Sequence, residues 1–574
     1  VNNQNDNISN NNNQQEHQSG EIQQTTGYIT NGKPNGSHVN QQGVNYYGFN
    51  APRVQNTVKK KFIYTTLDRA FALIALAIGF LFIRFVLLGS LSVSVFVFFL
   101  ASFGVTAVYM LKSDTGLNGK NMIPFIIPVV FSSIFLISDN DLVKMLNLIF
   151  VVLCFCYIIF AQFNGVRIGK GFGYSLLNST LLSPFSSYGD GARASIQAVS
   201  TTKKTHKLKW VLLGLLIAIP ITSYIAVLLL SSDEMFSTIF NSYFANILGE
   251  IPLAVFQLIF GIPVALFFFG ALYSGKEKKG SRFLTSNEIE GFSNRVKKVP
   301  TSLFYSALTP LLILYLLYFI VQSGYFLSAF NSMLPDGYDY AQYARQGFFE
   351  LCTVAIINLI LIWTLISFSK RVNGEMAKGI KVYSIILCVF TLLLIFTVIS
   401  KMFMYITFNG LTHLRLYTSW FMVLLAIVFV LIIVKVLCYR VNFPKAVTVV
   451  FVIMFGVLCF SNVDGLITKY NVEQYQKGSI EWMGHSGLDE LDDSAVPYIL
   501  QLAGDADTPS DVKDDCVYYL SHRYSRYSGD PKDFNIISYT AHEQLEQNKE
   551  QFQYPENEKN EYPYSRYSSY NNRY

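Results

Sequence analysis

The sequence predicts an all-α fold: a polytopic transmembrane helical bundle of about eleven spans, with a small helical extracytoplasmic tail at the C-terminus. Three observations predict it. Of 574 residues, 51% are hydrophobic and only 14% charged, against roughly 25% charged in soluble chains. The apolar residues gather in uninterrupted runs of about 20, the length that crosses a ~30 Å hydrocarbon layer. Those runs lack the period-2 alternation of a membrane barrel, and only helices or closed barrels satisfy every backbone group in lipid.

The spans fall at about 70–89, 92–111, 121–138, 143–163, 210–230, 249–273, 303–325, 346–368, 380–401, 414–438 and 445–461. The last is short, and the third and fourth also read as one re-entrant pair, so ten is the alternative count. Before the first span, residues 1–57 are rich in Asn and Gln and too poor in aliphatic residues to build a core, so disorder is expected there. Spans and loops then divide the chain into a first group of about four spans (58–163), a basic loop (164–209) and a second group of about seven spans (210–461). A small helical segment (462–528) and a Tyr-rich tail (529–574), expected to be disordered, complete it. Helical signals in the small segment lie at Asp464 to Tyr475, Ser494 to Leu502 and Ser510 to Tyr524.

Charge fixes the expected orientation. Lys59, Lys60 and Lys61 precede the first span. One set of loops carries Lys112 and Lys120, then Arg167 to Lys209, Lys276 to Lys298, Lys370 to Lys378, and Arg440. The alternate loops hold only Lys144 and Arg345 clear of the span ends. Basic loops stay in the cytoplasm, so the N-terminus is expected inside a bacterial plasma membrane and, after eleven spans, the C-terminus outside. From Asn462 onward there are 20 acidic and 10 basic residues. No cleavable leader is expected, because the first 60 or so residues are polar. The basic residues need no nucleic-acid partner, and the partners expected are the lipid bilayer and an unknown membrane or envelope protein. Six of the seven cysteines lie in or beside apolar runs and read as packing residues.

Three stretches occur together: Tyr340–Leu351 (YAQYARQGFFEL), Gly410–Met422 (GLTHLRLYTSWFM) and Asn462–Tyr475 (NVDGLITKYNVEQY), followed by Asp492-Asp493-Ser494-Ala495-Val496-Pro497. This set resembles the bacterial membrane family called domain of unknown function 4173, a relative of family 4153. The resemblance spans about 210–505, more weakly from 65. It implies a multi-span membrane protein with a short extracytoplasmic tail, and it implies no activity.

On the expected topology, several charged residues converge at the outer surface: Arg84, Glu250, Arg345, Glu350, Lys401, Arg415 and Asp464. Charges near a bilayer core are costly, so they pair or face water. Glu350 is expected to pair with Arg415 or Lys401 in an outward polar cluster; snorkelling to headgroups is the plainer alternative. Pro124, Pro128, Pro220, Pro263 and Pro310 suggest broken helices of the transporter kind, although spans tolerate proline generally. Gln257, Gln322 and Asn358 are candidates for interhelical hydrogen bonds.

Enzyme motifs are scarce. There is no HExxH, phosphate loop, GxGxxG or paired CxxC. Gly484-His485-Ser486-Gly487 matches the GxSG of intramembrane proteases but lies in the polar tail. Asp505, Asp507, Asp511, Asp514 and Asp515 lack calcium-loop spacing and read as helix caps and a solvated face. No cofactor, metal or catalytic residue is expected. The favoured reading is a non-enzymatic envelope sensor or accessory protein. A secondary transporter or permease comes next, then a membrane enzyme acting on lipid or envelope substrates.

Overall fold

The computed structural model describes residues 64–113, 124–164, 172–199, 253–277, 299–322, 348–372, 375–438 and 440–552, together with position 225. They belong to one compact unit. Among the described residues nine helices are long and apolar enough to cross a bilayer, so this is a multi-pass helical membrane protein. The expected span at 210–230 and the expected disorder at 1–57 lie outside the described residues.

Helix α1 (Thr66–Phe82) opens on a capping box in which Thr65 and Asp68 bond each other's backbone N–H, and it continues into one π-helical turn, Ile83–Leu87. α2 (Val93–Lys112) follows. The expected third span is two short helices, α3 (Ile126–Ser132) and α4 (Ile134–Ile137). Their apolar stretch Ile126–Ile137 rises about 18 Å at 1.5 Å per residue, short of the ~30 Å core. At the break, the Asn147 side-chain amide donates to Phe131 O over 2.8 Å. That bond comes from α5 (Asp141–Asn164) and gives a side-chain donor to a carbonyl at the end of α3, which Ser133 N–H also approaches. Short helices α6 (Phe172–Leu177), α7 (Ser183–Ser186) and α8 (Tyr188–Val199) precede the long α9 (Leu253–Lys276).

Asp68 ties these helices together at one end. It accepts hydrogen bonds from Tyr109 of α2 at 2.8 Å and Lys276 of α9 at 2.7 Å. Tyr64 reaches Asp190 of α8 at the same end, over 3.0 Å. Midway along, α1 and α9 touch backbone to backbone, and a Cβ built on Gly79 would sit 2.1 Å from Gly261 O. Small residues at a crossing are how membrane helices approach closely without a hydrophobic drive.

A second bundle holds α10 (Thr301–Gln322), α11 (Phe348–Phe368), α12 (Lys378–Asn409) and α13 (His413–Leu437). A minimal hairpin, β1 (Arg371–Val372) with β2 (Glu375–Met376), joins α11 to α12. The bundle buries Ala355, Ile362, Leu387, Val398 and Phe429. Asn358, fully buried, accepts from Tyr315 at 2.7 Å and donates to Thr391 at 3.0 Å, as expected for an interhelical hydrogen bond. Gln257 is buried. Exposed Leu314, Leu317, Val321 and Trp363 give α10 and α11 an apolar outer face suited to lipid. The last long helix, α14 (Phe443–Phe460), returns to the first bundle, where Phe455 stacks on Phe131 with centroids 5.8 Å apart.

Asn462, in the left-handed conformation (φ 48°), turns the chain from α14 into α15 (Val463–Gln476) and caps it with its side chain. Asparagine tolerates that conformation through local hydrogen bonding. α15 starts a helical cap with α16 (Gly484–Asp489), α17 (Val496–Gly504), α18 (Ser510–Arg526) and α19 (Ile536–Gln547). The cap buries Ile467, Leu488, Val496, Ile499, Cys516 and Leu520. α15, α17 and α18 follow the three helical signals of the sequence. The expectation of disorder from residue 529 is corrected for 531–551, which hold α19 and two 3-10 turns, while 553–574 lie outside the described residues. Composition hides this, because only Ala541, Leu545 and Phe552 are apolar anchors, and each is buried against the rest of the cap.

Candidate functional site at the junction of cap and bundles

The cap sits on one set of helix ends. The loop after α1 reaches it through Ser92, whose hydroxyl donates to Lys532 O at 2.9 Å, and Val93 N, which donates to Phe534 O at 3.1 Å. The loop after α4 reaches it where the Asn535 side chain caps Ser138 O at 2.6 Å. The α12–α13 loop is held where Leu411 and the Asn471 side chain exchange bonds of 2.7 and 2.8 Å. These are loops that the charge pattern assigns to a single side of the membrane.

At their meeting point lies Asp464, in the first turn of α15 and 0% exposed. His413, the first residue of α13, bonds one carboxylate oxygen through Nε2, and the Asn140 amide donates to the other. Tyr417 of α13 donates to Asn140 over 3.4 Å. The Asp492 carboxyl lies beside Asp464, close enough for each to act on the charge of the other. One side chain thus joins the α4–α5 loop, the second bundle and two parts of the cap. Asp492 also opens the turn leading into α17, accepting from Ser494 N at 2.9 Å, while its own carbonyl accepts from Tyr519 of α18 at 2.6 Å.

The carboxyls divide in charge. Burial alone would raise Asp464, but hydrogen bonds from His413, Asn140 and Asp492 overcome it and hold Asp464 below the ordinary value. Burial first, then the negative charge of Asp464, push Asp492 well above it. Two carboxyls that close repel when both are ionised, and burial adds to the cost, which favours a proton on Asp492. Burial and the charge of Asp139 raise Asp493 as well, against the nearby Arg523 and Arg526.

Beside this cluster a cavity of about 480 Å³ opens between the α4–α5 loop, the start of α13 and the cap turns around 489–493 and 526–534. Its walls carry Asp139 and Asp141 from the loop and Asp489, Glu490, Asp492, Asp493, Asp530 and Asp533 from the cap. Arg523, Arg526 and His413 are the opposing cations. Arg523 is committed to Asp493 at 3.4 Å and to Leu491 O. Lys144, behind the loop, binds Asp139 at 3.2 Å and Asp141 at 3.5 Å. Among the described residues no three His, Cys, Asp or Glu side chains converge as a metal site.

Of the described residues singled out by charge, Asp464 belongs to this junction and is its centre. Arg84 lies in the π-helical turn after α1 and senses Lys532 of the cap. Arg415 donates to Asn409 O and Gly410 O and covers the Tyr405 ring at 3.9 Å, closing the carboxyl end of α12. Its described contacts are therefore backbone carbonyls and an aromatic face rather than Glu350. Glu350 is exposed in the first turn of α11, within electrostatic reach of Lys401. Glu250 and Arg345 lie outside the described residues. Ser486, of the GxSG string, lies on α16 of the cap. His413, Asn140, Asp139 and Asp492 were missed, although His413 and Asp492 stand inside the quoted motifs GLTHLRLY and DDSAVP. The cost of charge in lipid singles out Arg and Glu rather than a histidine at a span end.

The family whose description reads domain of unknown function (DUF4153) matches residues 125–502, well over half of the chain. The chain belongs to this family. The match is to the relative of the family that the motifs resemble, and it takes in Asn140, His413, Asp464 and Asp492, while α18 and α19 lie beyond it. No curated protein and no solved structure matches the chain.

Proposed function

We propose that this DUF4153 protein is a non-enzymatic envelope sensor or accessory subunit that takes a small organic cation into the acidic cavity between cap and bundles. The observation that carries the reading is the make-up of the cavity, whose walls come from the cap, the α4–α5 loop and the start of α13 at once. A molecule bound there touches three parts of the protein, so occupancy shifts their relative stability. Eight acidic side chains line the walls against two arginines and one histidine; even with Asp492 and Asp493 raised, the remaining six favour a positively charged guest, and the volume is in the range of small-molecule sites. In this reading the cap faces away from the cytoplasm, in keeping with the basic loops at the opposite helix ends. The strings around Gly410 and Asn462 further support a place near the related family 4173.

A permease draws support from the break at Ser133 and from Pro263 and Pro310 inside α9 and α10. The break, however, is closed by Asn147, and the wide polar space lies at the helix ends. The reading is tested by titrating the protein in lipid nanodiscs with spermidine as a cationic probe. Saturable binding that weakens at least tenfold in the double variant Asp530→Asn, Asp533→Asn supports it. Binding that is absent, or unchanged in the variant, overturns it.

A further inference from the structure

Asp464 occupies an unusual place. It starts the helix that leaves the last long span, yet its carboxylate is fully buried among donors from three other parts of the chain. Without it, nothing else in the described residues joins His413 of the second bundle, Asn140 of the first and Asp492 of the cap through one group. Structural ion pairs usually match a cation to an anion. Here the cap contributes a second carboxyl, and the contact Asp464–Asp492 is attractive only while one proton sits between the two.

We propose that Asp464, Asp492 and His413 form a proton-operated latch, which holds the cap closed on the bundles in mild acid and releases it as the pH rises. This goes beyond the ligand reading and does not depend on it, because the latch closes with or without a guest in the cavity.

The sign follows from the two carboxyls. Asp492 is raised in the closed form, by burial and then by Asp464. Closure therefore takes up a proton, and this contribution is complete below the open-form value near 3.8 and lost as the pH climbs through the raised closed-form value. Asp464 is lowered in the closed form, so its contribution is present above about 3.8 and fails only in strong acid. The latch is closed between those limits.

The surroundings reinforce the direction. From the α4–α5 loop Asp139 faces the pair, with Lys144 holding it from behind. From α13 come His413 and Tyr417. The cap adds Glu490 beside His413, with Asp493 next in the chain. α18 adds Tyr519 and Arg523, and Arg523 is held by Asp493 and Leu491 O. Once Asp492 ionises, it faces the anions Asp464 and Asp139, while the cations near it are already engaged, Arg523 with Asp493 and His413 with Asp464. Loss of the proton on the imidazole acts in the same sense, since it removes the positive partner of Asp464.

The test uses the full chain in nanodiscs with no added cation. Spin labels at Leu88, exposed beside the end of α1, and Glu550, exposed on the cap, report their separation by pulsed dipolar spectroscopy from pH 4.5 to 9. The expected result is one short-distance population in mild acid and at least a tenfold gain in a longer population by pH 9. Asp492→Asn keeps an amide donor toward Asp464 without a proton to lose, and is expected to stay short throughout. Asp492→Ala removes the donor and is expected to show the long population even in mild acid. A wild-type distance that does not change with pH overturns the latch. So does an Asp492→Asn variant that opens at the wild-type midpoint. Failure of spermidine to bind leaves these results untouched, so the two readings fail separately.

Discussion

Replacing Asp464 by Asn tests the junction directly. The side chain is fully buried and accepts from His413 and Asn140. An amide of the same shape has one acceptor oxygen and no charge, so it strands one donor and removes the counter-charge of the imidazolium. Breaking a buried pair by removing one partner costs about 3–5 kcal/mol. Relief of Asp492 from its charged neighbour offsets part of this, so the lower end, about 3 kcal/mol, is expected. At 1.36 kcal/mol per decade that is roughly a hundredfold in the population of the opened cap. The assay is pulsed thiol labelling of Cys516, read by mass spectrometry of its peptide. Cys516 is 0% exposed in the cap core, and burial pushes its thiol up to about 12, so labelling needs opening of the cap and tracks the opening equilibrium. Asp489→Asn, on an exposed carboxylate near His485, is the control and is expected to change labelling less than threefold. An Asp464→Asn rate within threefold of wild type would refute the claim that this carboxylate holds the cap.

Two further outcomes follow from the helix packing and the charge pattern. Gly79→Ala drives a Cβ into Gly261 O and is expected to cost about 1–3 kcal/mol of overpacking in unfolding by dodecyl sulfate. Gly104→Ala meets open space on α2 and is expected to be neutral or stabilising by up to about 1 kcal/mol; equal losses for both would mean that α1 and α9 do not cross there. A cysteine in place of Tyr539, 48% exposed on α19, is expected to react with an impermeant thiol reagent on intact cells, and protection until lysis would reverse the proposed orientation.

Much of the scaffold was readable because bilayer physics is one-dimensional. Apolar length alone located every long helix among the described residues; the third and fourth runs also read as one re-entrant pair, whereas the third is the broken pair α3 and α4 and the fourth a full-length helix. The cap helices α15, α17 and α18 were readable from their caps and periodicity. α19 was not, because three apolar anchors in a polar stretch acquire meaning only against the surface they fill. Asn358 was readable as an interhelical bond, since a lone amide in an apolar run has few other ways to be satisfied.

The sequence by itself determined that this chain is a helical membrane protein and where most of its helices run, because hydrocarbon thickness acts on each segment separately. The tertiary structure alone decided which polar residues meet. Asn140, His413, Asp464 and Asp492 are separated by up to some 350 positions along the chain, and their meeting depends on a left-handed turn at Asn462 and on a cap folding back over three loops. Proximity of that kind is set by packing between segments, which no property of a single segment contains.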